Sequence, residues 1–186
     1  MAVKSITINL MIGGIQNPDN SIGDTTQYPH NLSYSYSMTN SQPTTTAVVV
    51  QSDGDIDLSL LPGGPGYTPE TDIYFTVSGQ IRGTDGTMYS PRWAQPGEGS
   101  GDPRMQGFCW LVTSPTDPTV VPWPPGMQSR LVPPGKNPGG TQTVLIDDNR
   151  RGSPYYYALG VCFDNVPGAN GSYYFLTFDP KIVNPG

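Results

Sequence analysis

Three aspartates at alternate positions are the residues whose type and spacing point most directly to chemistry. They lie in the segment Asp53-Gly54-Asp55-Ile56-Asp57, and oxygen ligands at such spacing are typical of calcium-binding loops. The segment departs from the helical calcium loop, because Leu58 stands where that loop needs glycine and Gly64 where it needs a bidentate glutamate. The pattern therefore predicts either a calcium site or a turn that enters a strand with its carboxylates in solvent.

Aromatic residues outside the expected core are candidates for carbohydrate binding. Trp93 and Trp123 stand among prolines in loop-like stretches, and alternation along Tyr155-Tyr156-Tyr157 places Tyr156 on the face opposite the core. An aromatic ring offers an apolar surface to one side of a sugar, while neighbouring polar groups bind its hydroxyls. We therefore predict Trp93, Trp123 and Tyr156 as ligand-binding residues. The alternative for the two tryptophans is that they cap the end of the fold.

Residues for nucleophilic or metal-dependent catalysis are scarce. His30 is the single histidine, and no nucleophile elbow accompanies it, so we predict a histidine in a surface loop. One histidine and two cysteines also supply too few ligands for a usual zinc site. A glycosidase could use two carboxylates from Glu70, Glu98 and the aspartates, but the sequence does not give their separation. The prediction is a protein without enzymatic activity.

Cys109 and Cys162 each lie in an apolar, strand-like segment. A disulfide requires that the two strands be neighbours, whereas a reducing compartment leaves two free thiols. The N-terminus lacks a basic region followed by a long apolar core, so we expect a cytoplasmic protein, with signal-less export as the alternative. Two buried free thiols are the prediction that follows.

The charge distribution disfavours several classes of partner. The net charge is −6, and the nine Lys and Arg residues are spread along the chain. Nucleic acids and anionic membranes bind clustered cations, so neither is an expected partner. No stretch approaches the roughly 20 apolar residues that a membrane-spanning helix needs, so membrane insertion is not expected either.

Strands are the elements expected to position these residues. The run Leu32-Ser33-Tyr34-Ser35-Tyr36-Ser37-Met38-Thr39 alternates large apolar and small polar side chains, which places them on opposite faces of a strand. The 23 Gly and 21 Pro indicate many turns, and the 11 Tyr, five Phe and three Trp can fill a core. We predict an all-β fold, an antiparallel two-sheet β-sandwich of jelly-roll or immunoglobulin-like type, in a single domain over residues 1–186.

About eight to ten strands are expected from the alternating runs. Asp85-Gly86 predicts a hairpin between residues 73–82 and 87–92, and Asn170-Gly171 predicts a C-terminal hairpin in the middle of a covered sheet. Prolines between residues 115 and 138 exclude a continuous central strand and predict a long connection. The other predicted strands are residues 3–12, 32–39, 44–51, 108–112, 143–147, 155–163 and 172–179.

The C-terminal segment is Tyr173-Tyr174-Phe175-Leu176-Thr177-Phe178-Asp179-Pro180-Lys181-Ile182-Val183-Asn184. It resembles the aromatic strand and terminal Asp-Pro-x-Ile element of the AidA and PixA inclusion-body family of bacterial proteins, with weaker similarity in the opening strand and in Tyr34 to Met38. The resemblance implies a cytoplasmic bacterial β-sandwich that accumulates densely, is associated with host interaction and has no established enzymatic activity. It implies a structural role for Asp179-Pro180.

Three functional hypotheses follow. The first is a non-enzymatic, lectin-like protein that binds carbohydrate through loops at one end of the sandwich, with calcium as the candidate cofactor. The alternative is an inclusion-body or storage protein that self-associates into homo-oligomers, for which low charge and exposed Tyr and Pro are suitable. A carboxylate-dependent glycosidase is the third.

Overall fold

The computed structural model describes residues 1–16, 32–99, 102–114, 116–137, 140–148, 154–169 and 173–183. Within these residues there are thirteen strands and one short 3₁₀ turn at Leu58–Leu60. The strands are β1 (Ala2–Ile15), β2 (Leu32–Gln42), β3 (Ile56–Asp57), β4 (Tyr67–Arg82), β5 (Met88–Tyr89), β6 (Pro91–Trp93), β7 (Cys109–Ser114), β8 (Asp117–Val121), β9 (Gln128–Val132), β10 (Thr143–Asp148), β11 (Tyr155–Asp164), β12 (Tyr173–Phe178) and β13 (Lys181–Val183).

The strands form two sheets, which confirms the predicted all-β sandwich. The six-stranded sheet has the order β2-β1-β4-β10-β9, with β5 paired to β4. The seven-stranded sheet has the order β3-β13-β11-β7-β8, with β12 and β6 also paired to β11. The expected antiparallel pairing is incomplete, because β1 with β4 and β13 with β3 are parallel. The crossover between β1 and β4 passes through β3 of the opposite sheet, as a parallel pair requires a long connection.

One hydrophobic cluster contains side chains of both sheets. Alternation sends Ile6, Ile8, Leu10 and Ile12 of β1 inward, and β11 does the same with Tyr157, Leu159, Val161 and Phe163. Each such side chain contributes about 1.5–3 kcal/mol when it is buried, so period-two order is sufficient to hold the layers together. No helix among the described residues has the length and apolar character needed to cross a membrane.

The predicted strand at residues 44–51 is wrong. Only Val50 makes a bridge, to Ile56, although Val49 and Val50 are buried in the core. The hydroxyl of Ser41 accepts a hydrogen bond from the Thr45 amide, and the hydroxyl of Thr45 accepts one from the Ala47 amide. Local bonds of this kind satisfy backbone donors that a sheet would otherwise need, so the β-branched residues remain irregular.

The proline-rich stretch from 115 to 138 is only partly a connection, because β8 and β9 both form within it. Each of these strands lies at the end of its sheet. An end strand tolerates proline, since its outward backbone donors need no partner strand. The prediction that this stretch contains no central strand is therefore confirmed. The prediction that it is one long connection is wrong where β8 and β9 form.

Both predicted hairpin pairings occur. Arg82 of β4 pairs with Met88 of β5 across the turn that contains Asp85-Gly86, and β11 pairs with β12. Asn170-Gly171 lies outside the described residues. The expected central position holds for β11, which pairs on both sides, whereas β12 pairs with β11 alone among the described strands.

The outer face of the seven-stranded sheet is apolar and covered. Trp110, Val112 and Ala158 form a second buried cluster there, against which Met105 and Phe175 pack. Met105 belongs to the covering loop, defined here as residues 94–99 and 102–107. A Cβ atom on Gly160 of β11 would lie 2.1 Å from the carbonyl oxygen of Gly107, so this loop approaches the sheet backbone closely.

Candidate functional site

Two of the three aspartates of the predicted calcium site, Asp53 and Asp57, are engaged locally. The Asp53 carboxylate accepts a hydrogen bond of 3.1 Å from the amide of Asp55, and Gly54 between them has φ of 96°, which forms a tight turn. Asp57 caps the 3₁₀ turn by accepting the Ser59 amide at 3.0 Å. The turn alternative to the calcium site thus describes the local structure of these residues.

Asp55 has a different partner from the other two aspartates. Its carboxylate forms an ion pair with Lys181 and accepts the Lys181 backbone amide at 3.2 Å, which joins β3 to β13. Within the described part of the chain, no group of three or more His, Cys, Asp or Glu side chains could hold a metal ion. The structure therefore does not bring Asp53, Asp55 and Asp57 together as one metal-binding group. Calcium binding as such stays a prediction.

The predicted aromatic ligands do not share one surface. Trp93 is 1% exposed and ends strand β6, so its expected loop position is wrong and its ring packs in the core. Trp123 is half-buried against the same core, which matches the capping alternative. Tyr156 points to the outer face of β11, as alternation predicts, and packs half-buried on the second cluster.

The cysteines are free, as predicted, and they face opposite sides of the seven-stranded sheet. Cys109 packs half-buried against the inner cluster, whereas Cys162 is fully buried and alternates away from inward-facing Val161 and Phe163. Burial raises the pKa of both thiols, to about 12 for Cys162. His30 lies outside the described residues.

A dense charged cluster lies beside Cys162, but its groups already bind one another. The Arg92 guanidinium donates to both oxygens of Glu98 at 2.6 and 2.7 Å and to both oxygens of Asp164 at 2.7 Å. The Glu98 carboxylate also accepts the Gln95 amide at 2.7 Å. These bonds tie the covering loop to β6 and β11, and we interpret the cluster as a structural clamp.

The outer face of the six-stranded sheet carries a more open polar arrangement. Two neighbouring rows cross strands β1, β4, β10 and β9. In that strand order the first row is Ser5, Asp72, Asp147 and Gln128, and the second is Thr7, Tyr74, Leu145 and Arg130. Directly opposed side chains in such rows lie about 5 Å apart at Cβ, so their functional groups meet. We call Asp72, Tyr74, Gln128, Arg130 and Asp147 the Asp72 cluster.

The two carboxyl groups of the Asp72 cluster share a hydrogen bond. Burial, a hydrogen bond with Asp147 and the like charge of Asp147 together raise the pKa of Asp72 to about 6, although the nearby Arg130 lowers it. On the far side, the Gln128 amide donates to Asp147 at 2.9 Å. Near neutral pH the pair holds a high density of hydrogen-bond acceptors on a rigid sheet.

Tyr74 gives the cluster an apolar component. Its ring is half-buried, and Leu145, which follows it in the same row, is only 1% exposed although it points outward. Burial and the neighbouring Asp72 raise the pKa of Tyr74, so its hydroxyl remains a hydrogen-bond donor. The cluster thus combines an aromatic surface, carboxylate acceptors, an amide and a guanidinium, which are the groups that bind a polyhydroxylated ligand.

None of the six ligand or metal residues predicted from the sequence belongs to this cluster. Asp72 stands in the ordinary alternating strand β4, and Asp147 ends the predicted strand at 143–147 and lies in β10. Alternation along Asp72-Ile73-Tyr74 does place Asp72 and Tyr74 together on the outer face. The missing information is the pairing of β4 with β10, which local patterns do not contain.

The fold and the site define a two-sheet β-sandwich with one apolar, covered outer face and one more polar outer face, on which Asp72 and Tyr74 are half-buried. No protein-family model matches the chain. No curated protein matches it either. The resemblance to the AidA and PixA family therefore stays a prediction that rests on the C-terminal segment.

Proposed function

We propose that the protein is a non-enzymatic carbohydrate-binding β-sandwich whose binding site is the Asp72 cluster. The observation that carries the proposal is the register that sets Asp72 directly opposite Asp147, beside the half-buried ring of Tyr74. The site differs in place from the loop-end site expected from the sequence, since Trp93 is buried in the core.

The cluster matches a sugar ring in chemistry. Carboxylate oxygens accept hydrogen bonds from neighbouring hydroxyls, and the Gln128 amide and Arg130 guanidinium can donate to sugar oxygens. The Tyr74 ring offers an apolar surface to the C–H groups of the same sugar. Three adjacent strands hold these groups, so little side-chain ordering remains to be lost on binding.

The carboxyl pair favours binding over glycoside hydrolysis. Glycosidases that use two carboxyl groups separate them by about 5 Å or more, which leaves room for the scissile bond between them. Asp72 and Asp147 are instead directly opposed across the β4–β10 pair, close enough to share a hydrogen bond when one of them is protonated. Such a pair presents one continuous acceptor surface to a ligand, which supports recognition without turnover.

Self-association is the second candidate, and it is favoured by the position of β2. This strand has eleven residues and lies at the end of the six-stranded sheet, where Tyr34 is 39% exposed. A long end strand offers backbone donors and acceptors to another chain. Homo-oligomers would then form by pairing of β2 strands between copies.

The test is affinity electrophoresis of the protein in gels that contain soluble starch, laminarin or hydroxyethylcellulose. We expect retardation by at least one polysaccharide and a loss of affinity of about tenfold or more in Tyr74→Ala and Asp147→Asn, which corresponds to about 1.4 kcal/mol. Tyr156→Ala and Trp123→Ala are the controls, and both should keep wild-type retardation. Retardation should also persist in a chelator.

Each alternative gives a different result in the same experiment. Loss of binding in Trp123→Ala or Tyr156→Ala, with Tyr74→Ala unaffected, would contradict the Asp72 cluster. It would place the binding site at Trp123 or Tyr156, as expected from the sequence. Retardation abolished by the chelator would establish a cation-assisted site and contradict the metal-independent cluster. Absence of retardation with every polysaccharide, together with oligomers in analytical ultracentrifugation that grow with concentration, would replace the proposal with self-association.

A further inference from the structure

A concave feature lies on the same outer face, at the opposite end of β4 from Asp72. It is a depression of about 700 Å³ formed by β1, β2, β4 and β5. Its lining includes Met11, Gly13, Ser33, Ser35, Gln80 and Met88. The Asp72 cluster does not include any of these residues, so the depression is a separate part of the face.

Glycines explain why this part of the sheet is concave. Gly79, which also lines the depression, has φ of 97°, and a Cβ atom there would lie 1.9 Å from the carbonyl oxygen of Ile12. No other residue is compatible with that position. Gly13 leaves its own backbone exposed on the floor, where its carbonyl oxygen accepts a hydrogen bond from the Ser33 hydroxyl at 3.1 Å.

The chemistry of the lining fits a neutral ligand that has both polar and apolar sides. Met11 and Met88 are 54% and 49% exposed and present thioether side chains on two sides. Serine hydroxyls and the Gln80 amide supply donors and acceptors between them. Among the described residues no charged side chain lines the depression, so a charged ligand would lose its hydration there without an ionic partner from them.

A continuous stripe joins the depression to the Asp72 cluster. Successive outward residues of β4 from Asp72 to Gln80 cover a distance of about 26 Å at the usual rise of a strand. Thr76 and Ser78 in the middle of the stripe are fixed by Asn9 of β1, which accepts from Thr76 at 3.1 Å and donates to Ser78 at 2.9 Å. The stripe is therefore a rigid line of hydroxyl groups.

We infer that the depression is a second subsite for the same ligand and that the ligand is an uncharged oligosaccharide lying along β4. The inference rests on the proposed carbohydrate binding at the Asp72 cluster. A single sugar would contact one end of the stripe only, whereas a linear chain places one unit at each end and its connecting units over Thr76 and Ser78. Affinity should therefore rise with chain length until the depression is reached.

The test is isothermal titration with a length series, from monosaccharide to hexasaccharide, built from the repeating unit of whichever polysaccharide retards the protein. We expect the hexasaccharide to bind at least tenfold more tightly than the disaccharide. Ser35→Arg fills the depression with a long side chain and should reduce hexasaccharide affinity to the disaccharide level. Ser37→Arg, one outward position away on the same strand and outside the depression, is the matched control and should keep the length dependence.

Failure of this inference differs from failure of the proposed function. If the disaccharide and hexasaccharide bind with equal affinity, or if Ser35→Arg keeps the full gain with length, the second subsite is wrong while the Asp72 cluster remains a binding site. If no oligosaccharide of the series binds, carbohydrate binding itself is contradicted. The wild-type length series gives this answer even if a variant is unstable.

Discussion

The two sheets bury similar inner faces but differ in their outer faces. The seven-stranded sheet places Trp110, Val112 and Ala158 outward and buries them under the covering loop. The six-stranded sheet places polar residues such as Asn9, Asp72 and Ser35 outward, where they are half-buried or exposed. The same period-two pattern thus builds an apolar, covered face on one sheet and a more polar face, where we propose ligand recognition, on the other.

Close packing is the physical requirement of the covered face. The covering loop adds contacts to the sheet only because Gly160 lacks a side chain and because Arg92 neutralises two carboxylates at its edge. The open face has no such requirement for close packing, so its side chains can serve the proposed ligand binding. Substitutions on the covered face should therefore reduce stability, and matched substitutions on the open face should not.

The largest effect is expected for Gly160→Ala. The added Cβ would lie 2.1 Å from the Gly107 carbonyl oxygen and 2.9 Å from the Phe175 ring, so the covering loop must move away from β11. Overpacking of this kind should lower the free energy of unfolding by about 3 kcal/mol, measured by urea denaturation.

Gly13→Ala on the open face is the control for this change. Its Cβ would meet only the Ser33 hydroxyl at 3.1 Å, and that group can rotate, so stability should change by no more than about 0.5 kcal/mol. Equal losses in the two variants would contradict the contrast between the faces.

A smaller loss is expected for Arg92→Ala. Removal of the guanidinium leaves the Glu98 and Asp164 carboxylates without their shared cation and releases one edge of the covering loop. Because the cluster is partly exposed and screened by water, we expect a loss of about 2 kcal/mol rather than the larger cost of a fully buried pair. Limited proteolysis should show faster cleavage within the covering loop.

Arg104→Ala provides the matched control for the clamp. Arg104 is exposed and pairs with Asp102 only two residues away, so its removal should leave the urea midpoint and the proteolysis rate unchanged. A similar loss for both arginines would indicate a general effect of charge rather than a specific clamp.

The two faces should also respond to pH with opposite sign. The hydrogen bond from Arg92 lowers the pKa of Glu98, so the stability it contributes is present above the ordinary glutamate pKa and is lost as the pH falls. The pKa of Asp72 is raised from 3.8 to about 6, so its contribution is present in acid and is lost as the pH rises through about 6.

Asp72→Asn should remove the second effect, because the asparagine amide donates to Asp147 without titrating. We expect the variant to be more stable than the wild type near pH 8, on the order of 1 kcal/mol after screening of this partly exposed group, and equally stable near pH 4. Urea denaturation at both pH values measures the difference. An unchanged gap between variant and wild type across this range would show that Asp72 titrates normally.

Much of the fold could be predicted from the sequence because alternation is local. Tyr157, Leu159 and Val161 face inward and Tyr156 outward, as their spacing requires. The strand expected at 44–51 was wrong because the side chains of Ser41 and Thr45 bind the backbone there. The strand propensity of β-branched residues does not take account of such side chains competing for backbone hydrogen bonds.

The candidate site could not be predicted, because it depends on which strands are neighbours. Asp72 and Asp147 are far apart in the chain and meet only through the register of β4 with β10. The predicted Asp53, Asp55 and Asp57 are close in sequence, and each instead serves its own turn or ion pair. Likewise, the prolines around Trp93 indicated a loop, whereas pairing of β6 with β11 buries its ring.

The smallest effect is expected from reduction of the protein. Cys109 pairs in register with Leu159 and faces the core, whereas Cys162 lies beside Arg92 on the outer face, so the sheet itself separates the two sulfur atoms. A disulfide needs both Cβ atoms on one side at about 4 Å. Added dithiothreitol should therefore shift Tm by less than about 1 °C. Reduction of a native disulfide would instead lower Tm by several times that amount.

Thiol counting sharpens the same prediction. Burial raises the pKa of both thiols, so Ellman's reagent should react only slowly with the folded protein. In urea it should react with both cysteines, and the count of two should be the same before and after storage in air. Loss of both reactive thiols on storage, with a Tm that falls on reduction, would require β7 and β11 to present their cysteines on one face. That result would contradict the alternation on which the separation of covered and open faces depends.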